Sequence, residues 1–205
     1  MPGVWRWSVA DRKRTGKEVR KTRETSIDLA LCLDGGNVSA RTGVPFLDHM
    51  LTLFAAHGGF GLSIRAKGDT KVDDHHLVED AGICLGRAFA KALGDKKGIS
   101  RYGDAVVPMD EALAQVALDI SGRAHLSYGL EPDRGKIREF DLQLVEEFLL
   151  GFVRNVPCTL HVRQLAGKNA HHVVEAAFKA FGRASGRAAA RGGPFGGTPS
   201  TKGVL

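Results

Sequence analysis

Cysteine is scarce in this chain of 205 residues, which has 3 of them. Cys32, Cys84 and Cys158 are widely spaced, and each sits in an apolar segment (ALCLD, AGICLG, VPCTLHV). That pattern offers neither a disulfide framework nor a thiolate zinc site, and it points to buried free thiols in a reducing, cytoplasmic compartment. Aromatic residues are also few, at 7%. They form no extended basic-aromatic cluster, which argues against a nucleic-acid partner. No apolar run reaches the ~18–20 residues of a membrane helix. The basic stretch 1–21 carries Asp11 and Glu18 and has no apolar core followed by a cleavage site, so it reads as an extension, not a secretion signal. What remains is an ordinary globular mixture, 43% hydrophobic and 25% charged. The net charge of +6 fits either a solvated surface or a phosphorylated small-molecule partner.

The chain repeats itself. Segment 46–93 aligns with segment 144–189, placing His75-His76 on His171-His172 and Glu79 on Glu175. Each histidine pair is followed at the same offset by one tripeptide, Gly86-Arg87-Ala88 and Gly182-Arg183-Ala184. Matches in register mark an internal duplication. In the first half, alternation and turn signals predict strands over 26–33, 38–41 and 60–66, with helices over 46–57 and 75–93. In the second half they predict strands over 105–107, 112–120, 124–130 and 158–164, with helices over 141–156 and 170–190. The expected architecture is α+β, two βαβα-type halves related by a pseudo-twofold axis, each a mostly antiparallel sheet with two helices. The expected divisions are an N-terminal extension over 1–16, repeats over 17–94 and 95–191, and a tail over 192–205. Within these, 94–103 forms a linker and 192–197 a flexible stretch.

The duplicated His-His-x-x-Glu carries the chemistry. Four residues apart on a helix, His75 and Glu79 share a face and can hold one metal ion, while His76 is rotated by ~100° and serves a neighbouring site. His171, Glu175 and His172 repeat this. Pseudo-twofold pairing then gives one site of His75, Glu79 and His172, and another of His171, Glu175 and His76. The preceding helices supply a fourth ligand, His49 for the second site and, at the aligned position, Glu147 for the first. Imidazole and carboxylate donors without thiolates suit Mn²⁺, Fe²⁺, Zn²⁺ or Ni²⁺. A lone histidine pair at a helix start is commonly a cap or surface feature; two pairs with matched glutamates are better explained by metal. His57, His125 and His161 lack such partners and read as structural.

The strings FLDHML, DDHHLVED, PMDEAL, LDISGR, GKNAHHVVEAAFKAFGRA and PSTKGVL resemble imidazoleglycerol-phosphate dehydratases of histidine biosynthesis, in order, from about Lys17 onward. The resemblance implies a hydro-lyase that converts imidazole glycerol phosphate to imidazole acetol phosphate, with two Mn²⁺ per active site. It also implies a large cubic homo-oligomer of 24-subunit type, with active sites at subunit contacts. It carries metal ligation to His49, His75, His76, Glu79, His171, His172 and Glu175. Phosphate or substrate contact passes to Arg101, Arg123, Ser200, Thr201, Lys202 and Glu24. Glu24 is the first candidate for general acid–base work, with Glu175 and Asp110 next. One departure stands out. Where the family commonly has a ligating histidine, this chain has Glu147, which is read either as an oxygen ligand or as a solvated helix residue. A dimetal hydrolase of another phosphorylated molecule is the alternative function.

Overall fold

The computed structural model describes residues 13–131, 135–193 and 197–203. Residues 1–12 of the expected extension, 194–196 of the expected flexible stretch and the last two of the tail lie outside the described residues. The element order is β1 (Thr15–Lys21), β2 (Thr25–Cys32), β3 (Val38–Arg41), α1 (Pro45–Gly58), β4 (Gly61–Gly68) and α2 (His75–Leu93). It repeats as β5 (Tyr102–Met109), β6 (Ala112–Asp119), β7 (His125–Gly129), α3 (Gln143–Asn155), β10 (Thr159–Ala166) and α4 (Ala170–Ala189). The duplication is plain in the sheets, which run β1-β2-β4-β3 and β5-β6-β10-β7. In each, the third strand of the half pairs parallel to the last and all other pairs are antiparallel.

Two features differ from the sequence reading. β1 begins at Thr15, so the first repeat opens inside the expected extension, and β5 begins inside the expected 94–103 linker. A small hairpin, β8 (Lys136–Ile137) with β9 (Phe140–Asp141), interrupts the connection from β7 to α3 and has no counterpart between β3 and α1.

Each sheet is apolar on one face and open on the other: β2 and β6 bury Ile27, Leu29, Leu31 and Ala114, Val116, Leu118 at alternate positions. The helices cover those faces, and the repeated Gly-Arg-Ala explains how closely. A Cβ on Gly86 would lie 2.5 Å from the Phe152 carbonyl oxygen, and one on Gly182 would lie 2.4 Å from that of Phe54. The alanine two positions on serves the sheet: Cβ atoms on Gly16 and Gly103 would lie 1.9 and 2.0 Å from the carbonyl oxygens of Ala88 and Ala184. Only hydrogen fits there. These contacts pair α2 with α3 and α4 with α1, so each helix pair mixes the two halves. Phe54, Phe60, Phe89, Phe152 and Phe181 join the pairs through ring contacts of 4.7–5.8 Å.

Candidate active site and metal centre

The α1–α4 pair brings three predicted ligands together. Nε2 of His49 and Nε2 of His171 each lie 3.1 Å from the same oxygen of Glu175, Oε2. The three ligand atoms lie within 4.8 Å of one another, the one such group found among the described residues. Local structure sets them up. Asn169 caps α4 by accepting from the amides of His171 and His172, which fixes the histidines in the first turn. Asp48 is occupied by the amide and hydroxyl of Thr42, both at 2.7 Å, and the neighbouring His49 is left to face α4. Phe46 packs edge-on against His171 at 5.4 Å, and Phe140 of the β8–β9 hairpin lies on Phe46 at 5.1 Å. A cavity of about 440 Å³ opens between hairpin and cluster, lined by Phe46, His49, Arg138, Phe140 and His171 among others. Each imidazole keeps 43% of its surface exposed while Glu175 keeps 10%, so the cluster is anchored below and reachable above.

The surroundings of Glu175 keep its carboxyl ionised. Burial pushes its carboxyl up, but hydrogen bonds from Lys179, His49 and His171 outweigh that and hold it down at about 2. Two imidazoles and an ionised carboxylate converging without an interposed side chain fit a divalent ion with nitrogen and oxygen preference.

The α2–α3 pair holds the counterparts less tightly. α2 and α3 are in backbone contact, since a Cβ on Gly151 would lie 2.8 Å from the Glu79 carbonyl oxygen. Glu147 sits one turn before Gly151 and is half-buried, whereas Glu146 is exposed. His75, Glu79 and Glu147 do not converge as the other three do.

His76 and His172 point elsewhere. Nδ1 of His76 meets Asp69 at 3.1 Å and Glu24 at 3.9 Å. Nδ1 of His172 meets Glu111 at 2.7 Å, and its Nε2 lies 3.8 Å from Asp110. The hydrogen bonds to Asp69 and Glu111 raise both imidazoles above their ordinary values. Glu24 and Asp110 therefore occupy matching turns, β1–β2 and β5–β6, each beside an outward histidine. The first turn is fastened to α2 by buried Asp80, which accepts from Arg20 and from the hydroxyl of Thr25.

The predicted phosphate residues lie at the other end of the fold. Arg101 donates its backbone amide to Ala188 near the C-terminus of α4. Its guanidinium binds Asp119 at 2.7 Å and the Pro199 carbonyl at 2.8 Å, holding the tail that bears Ser200, Thr201 and Lys202. The amide of Lys202 donates to the Ser200 hydroxyl. Arg123 follows β6 at the same end, with its guanidinium 3.4 Å from the Ser121 carbonyl. From His171 to Ala188 is about 25 Å along a helix rising 1.5 Å per residue. One chain thus brings together part of the metal set and most of the phosphate set, and holds them apart.

Sequence reasoning missed the carboxylates behind the outward histidines. Asp69 reaches its histidine from a loop, and Glu111 from a turn 61 residues away in the chain. Glu111 does stand within PMDEAL, and Asp80 within DDHHLVED, so the strings contained them without separating their roles.

Known proteins resemble this arrangement in sequence and structure. A family model described as imidazoleglycerol-phosphate dehydratase matches residues 42–185. An imidazoleglycerol-phosphate dehydratase of Moorella thermoacetica is 57% identical over 187 residues, covering 91% of this chain and 95% of the relative. One from Trichlorobacter lovleyi is 53% identical over 194 residues, covering 94% and 100%. The crystal structure of the Staphylococcus aureus dehydratase superposes with a TM-score of 0.78 at 42% identity, covering 85% of this chain and 97% of that one. That of the Pyrococcus furiosus protein gives 0.80 at 38%, covering 92% and 100%. The chain is thereby an enzyme of the hydro-lyase class. It belongs to the imidazoleglycerol-phosphate dehydratase family.

Proposed function

We propose that this enzyme dehydrates imidazole glycerol phosphate to imidazole acetol phosphate in histidine biosynthesis, using two Mn²⁺ ions per active site. The observation that carries the metal requirement is the convergence of His49, His171 and Glu175 on one point. The donor set would supply one ion; His75, Glu79 and Glu147 would supply the other. His76 and His172, whose Nδ1 atoms are held by carboxylates, would each complete a site in another chain through Nε2. Bound metal supplies Lewis acidity and a template for the imidazole ring.

In this reaction the hydroxyl on the carbon attached to the ring leaves as water. The adjacent C–H, acidified by no carbonyl, gives up its proton, and the resulting enol tautomerises to the ketone. Glu24 suits the proton transfer: it is half-exposed, beside His76, on a turn fixed by Asp80. Asp110 is the matching group beside His172. Glu175, whose two oxygens are already engaged by Lys179 and by His49 and His171, is better placed as a ligand. Arg123, Lys202, Ser200 and Thr201 would take the phosphate, with Arg101 orienting the tail that carries them.

The separation of about 25 Å along α4 supports a site shared between chains, because a substrate with three carbons between ring and phosphate ester spans far less. A closed homo-oligomer, the 24-subunit cubic type, would meet that need. No described helix is long and apolar enough to cross a membrane. The three free thiols fit a cytoplasmic setting.

The test is an assay with imidazole glycerol phosphate after removal of metal by chelator and again after return of Mn²⁺. Loss and recovery of dehydration are expected; activity indifferent to metal would contradict the proposal.

A further inference from the structure

Lys179 enters above only as a hydrogen-bond donor to Glu175. Its ammonium lies 2.7 Å from Oε1 of Glu175, one turn further along α4 on the same face. It also reaches Sδ of Met109 at 3.5 Å. The lysine side chain is 17% exposed and the glutamate 10%, so water screens the pair little. The other oxygen, Oε2, is the one that His49 and His171 both approach. One oxygen of Glu175 therefore faces the ligand cluster while a cation holds the other.

The repeat supplies the comparison. Where His171 aligns with His75, Glu175 falls on Glu79 and Lys179 falls on Ile83. An isoleucine can neither hold a carboxylate oxygen nor repel a metal ion. We propose that Lys179 is a positioning residue that makes the two metal sites unequal, keeping Glu175 a one-oxygen ligand and its metal the more loosely held of the two. This rests on the reading of Glu175 and Glu79 as metal ligands.

Two effects act in the same direction. A cation close behind the ligand repels a divalent ion and weakens its binding. Engagement of Oε1 also prevents two-oxygen chelation, which leaves a coordination position for substrate. The opposing effect, loss of orientation without the lysine, is smaller here. Glu175 is buried within a helix of 20 residues and in contact with both imidazoles, so its side chain stays constrained.

The experiment is Mn²⁺ titration of the metal-stripped full chain, followed by electron paramagnetic resonance, with steady-state kinetics alongside. The wild type is expected to show two affinity classes. Lys179→Met should tighten the weaker class by about tenfold, the scale of changes behind metal ligands. It should also raise KM for substrate more than it lowers kcat, because the open position closes. Lys179→Arg, which keeps the cation, should retain both wild-type affinities. Unchanged or weakened Mn²⁺ binding in Lys179→Met would overturn the role. If Lys179→Met does not fold, Ile83→Lys decides: weakening of the tighter class supports the role and unchanged binding overturns it. A wild type that takes up no Mn²⁺ would instead overturn the metal reading itself, which separates that failure from this one.

Discussion

The α1–α4 and α2–α3 pairs descend from one repeat and share one scaffold, yet they present different candidate ligand sets. The scaffold agrees closely: Gly16 meets Ala88 as Gly103 meets Ala184, and Gly86 meets Phe152 as Gly182 meets Phe54. The sets differ in three respects. His49 on α1 stands opposite Glu147 on α3, Lys179 stands opposite Ile83, and the β8–β9 hairpin, which borders the α1–α4 cluster, has no counterpart between β3 and α1. Backbone contacts tolerate no added atom and so hold both halves to one geometry, while side chains at the helix starts are free to diverge. A symmetric frame with unequal ligands can give two metals unequal affinity and unequal openness.

That contrast can be broken at graded cost. The largest effect is expected from His171→Ala, which should lose one metal equivalent per chain and at least about a hundredfold in turnover, the upper range for disturbing even outer partners of a ligand. Metal analysis and steady-state kinetics check it, and full metal content would argue against ligation. Next, Gly16→Ala and Gly103→Ala each force a Cβ onto a carbonyl oxygen at about 2 Å. Each should destabilise by ~1–3 kcal/mol, and by similar amounts, as overpacking does. Denaturant unfolding checks the pair, and a large inequality would show that the frame is less symmetric than described.

Glu147→His makes the α2–α3 set a copy of the α1–α4 set. It should shift metal affinity at that site by about tenfold while the other site is unmoved; no change at either would favour Glu147 as a solvated residue. The smallest effect is in pH. His76 and His172 are raised by hydrogen bonds to Asp69 and Glu111, and a metal ligand must be unprotonated. Metal affinity should therefore be full at high pH and begin to fall above the ordinary value near 6.5 as pH drops. Glu111→Gln should lower that onset, read by Mn²⁺ titration at several pH values.

Much of this was legible in the sequence, and the omissions have physical causes. Helix α2 and strand β3 match the predicted spans, because periodic apolar residues and flanking glycines mark them. β1 escaped because its inward positions include Gly16, which must be bare, and Glu18, an inward charge paired with Arg87 and Lys91. An alternation of glycine and glutamate with polar residues carries no hydrophobic signal. Strands β8 and β9 are two residues each, below any periodicity. Among the site residues, the His-x-x-x-Glu spacing foretold that His171 and Glu175 would share a point, and the repeat foretold His49. The carboxylates behind His76 and His172 depend on where a loop and a turn finally lie, which no spacing encodes.

The most direct test of the shared site uses two variants that are each expected to be inactive alone. Glu175→Gln disables the metal end and Arg123→Ala disables the phosphate end of the same chain. Co-expressed, they can form mixed assemblies in which an intact metal end faces an intact phosphate end of a neighbour. The account predicts recovered dehydration of imidazole glycerol phosphate in the mixture, to a substantial fraction of wild type. Mixed assemblies as inactive as either variant alone would contradict it.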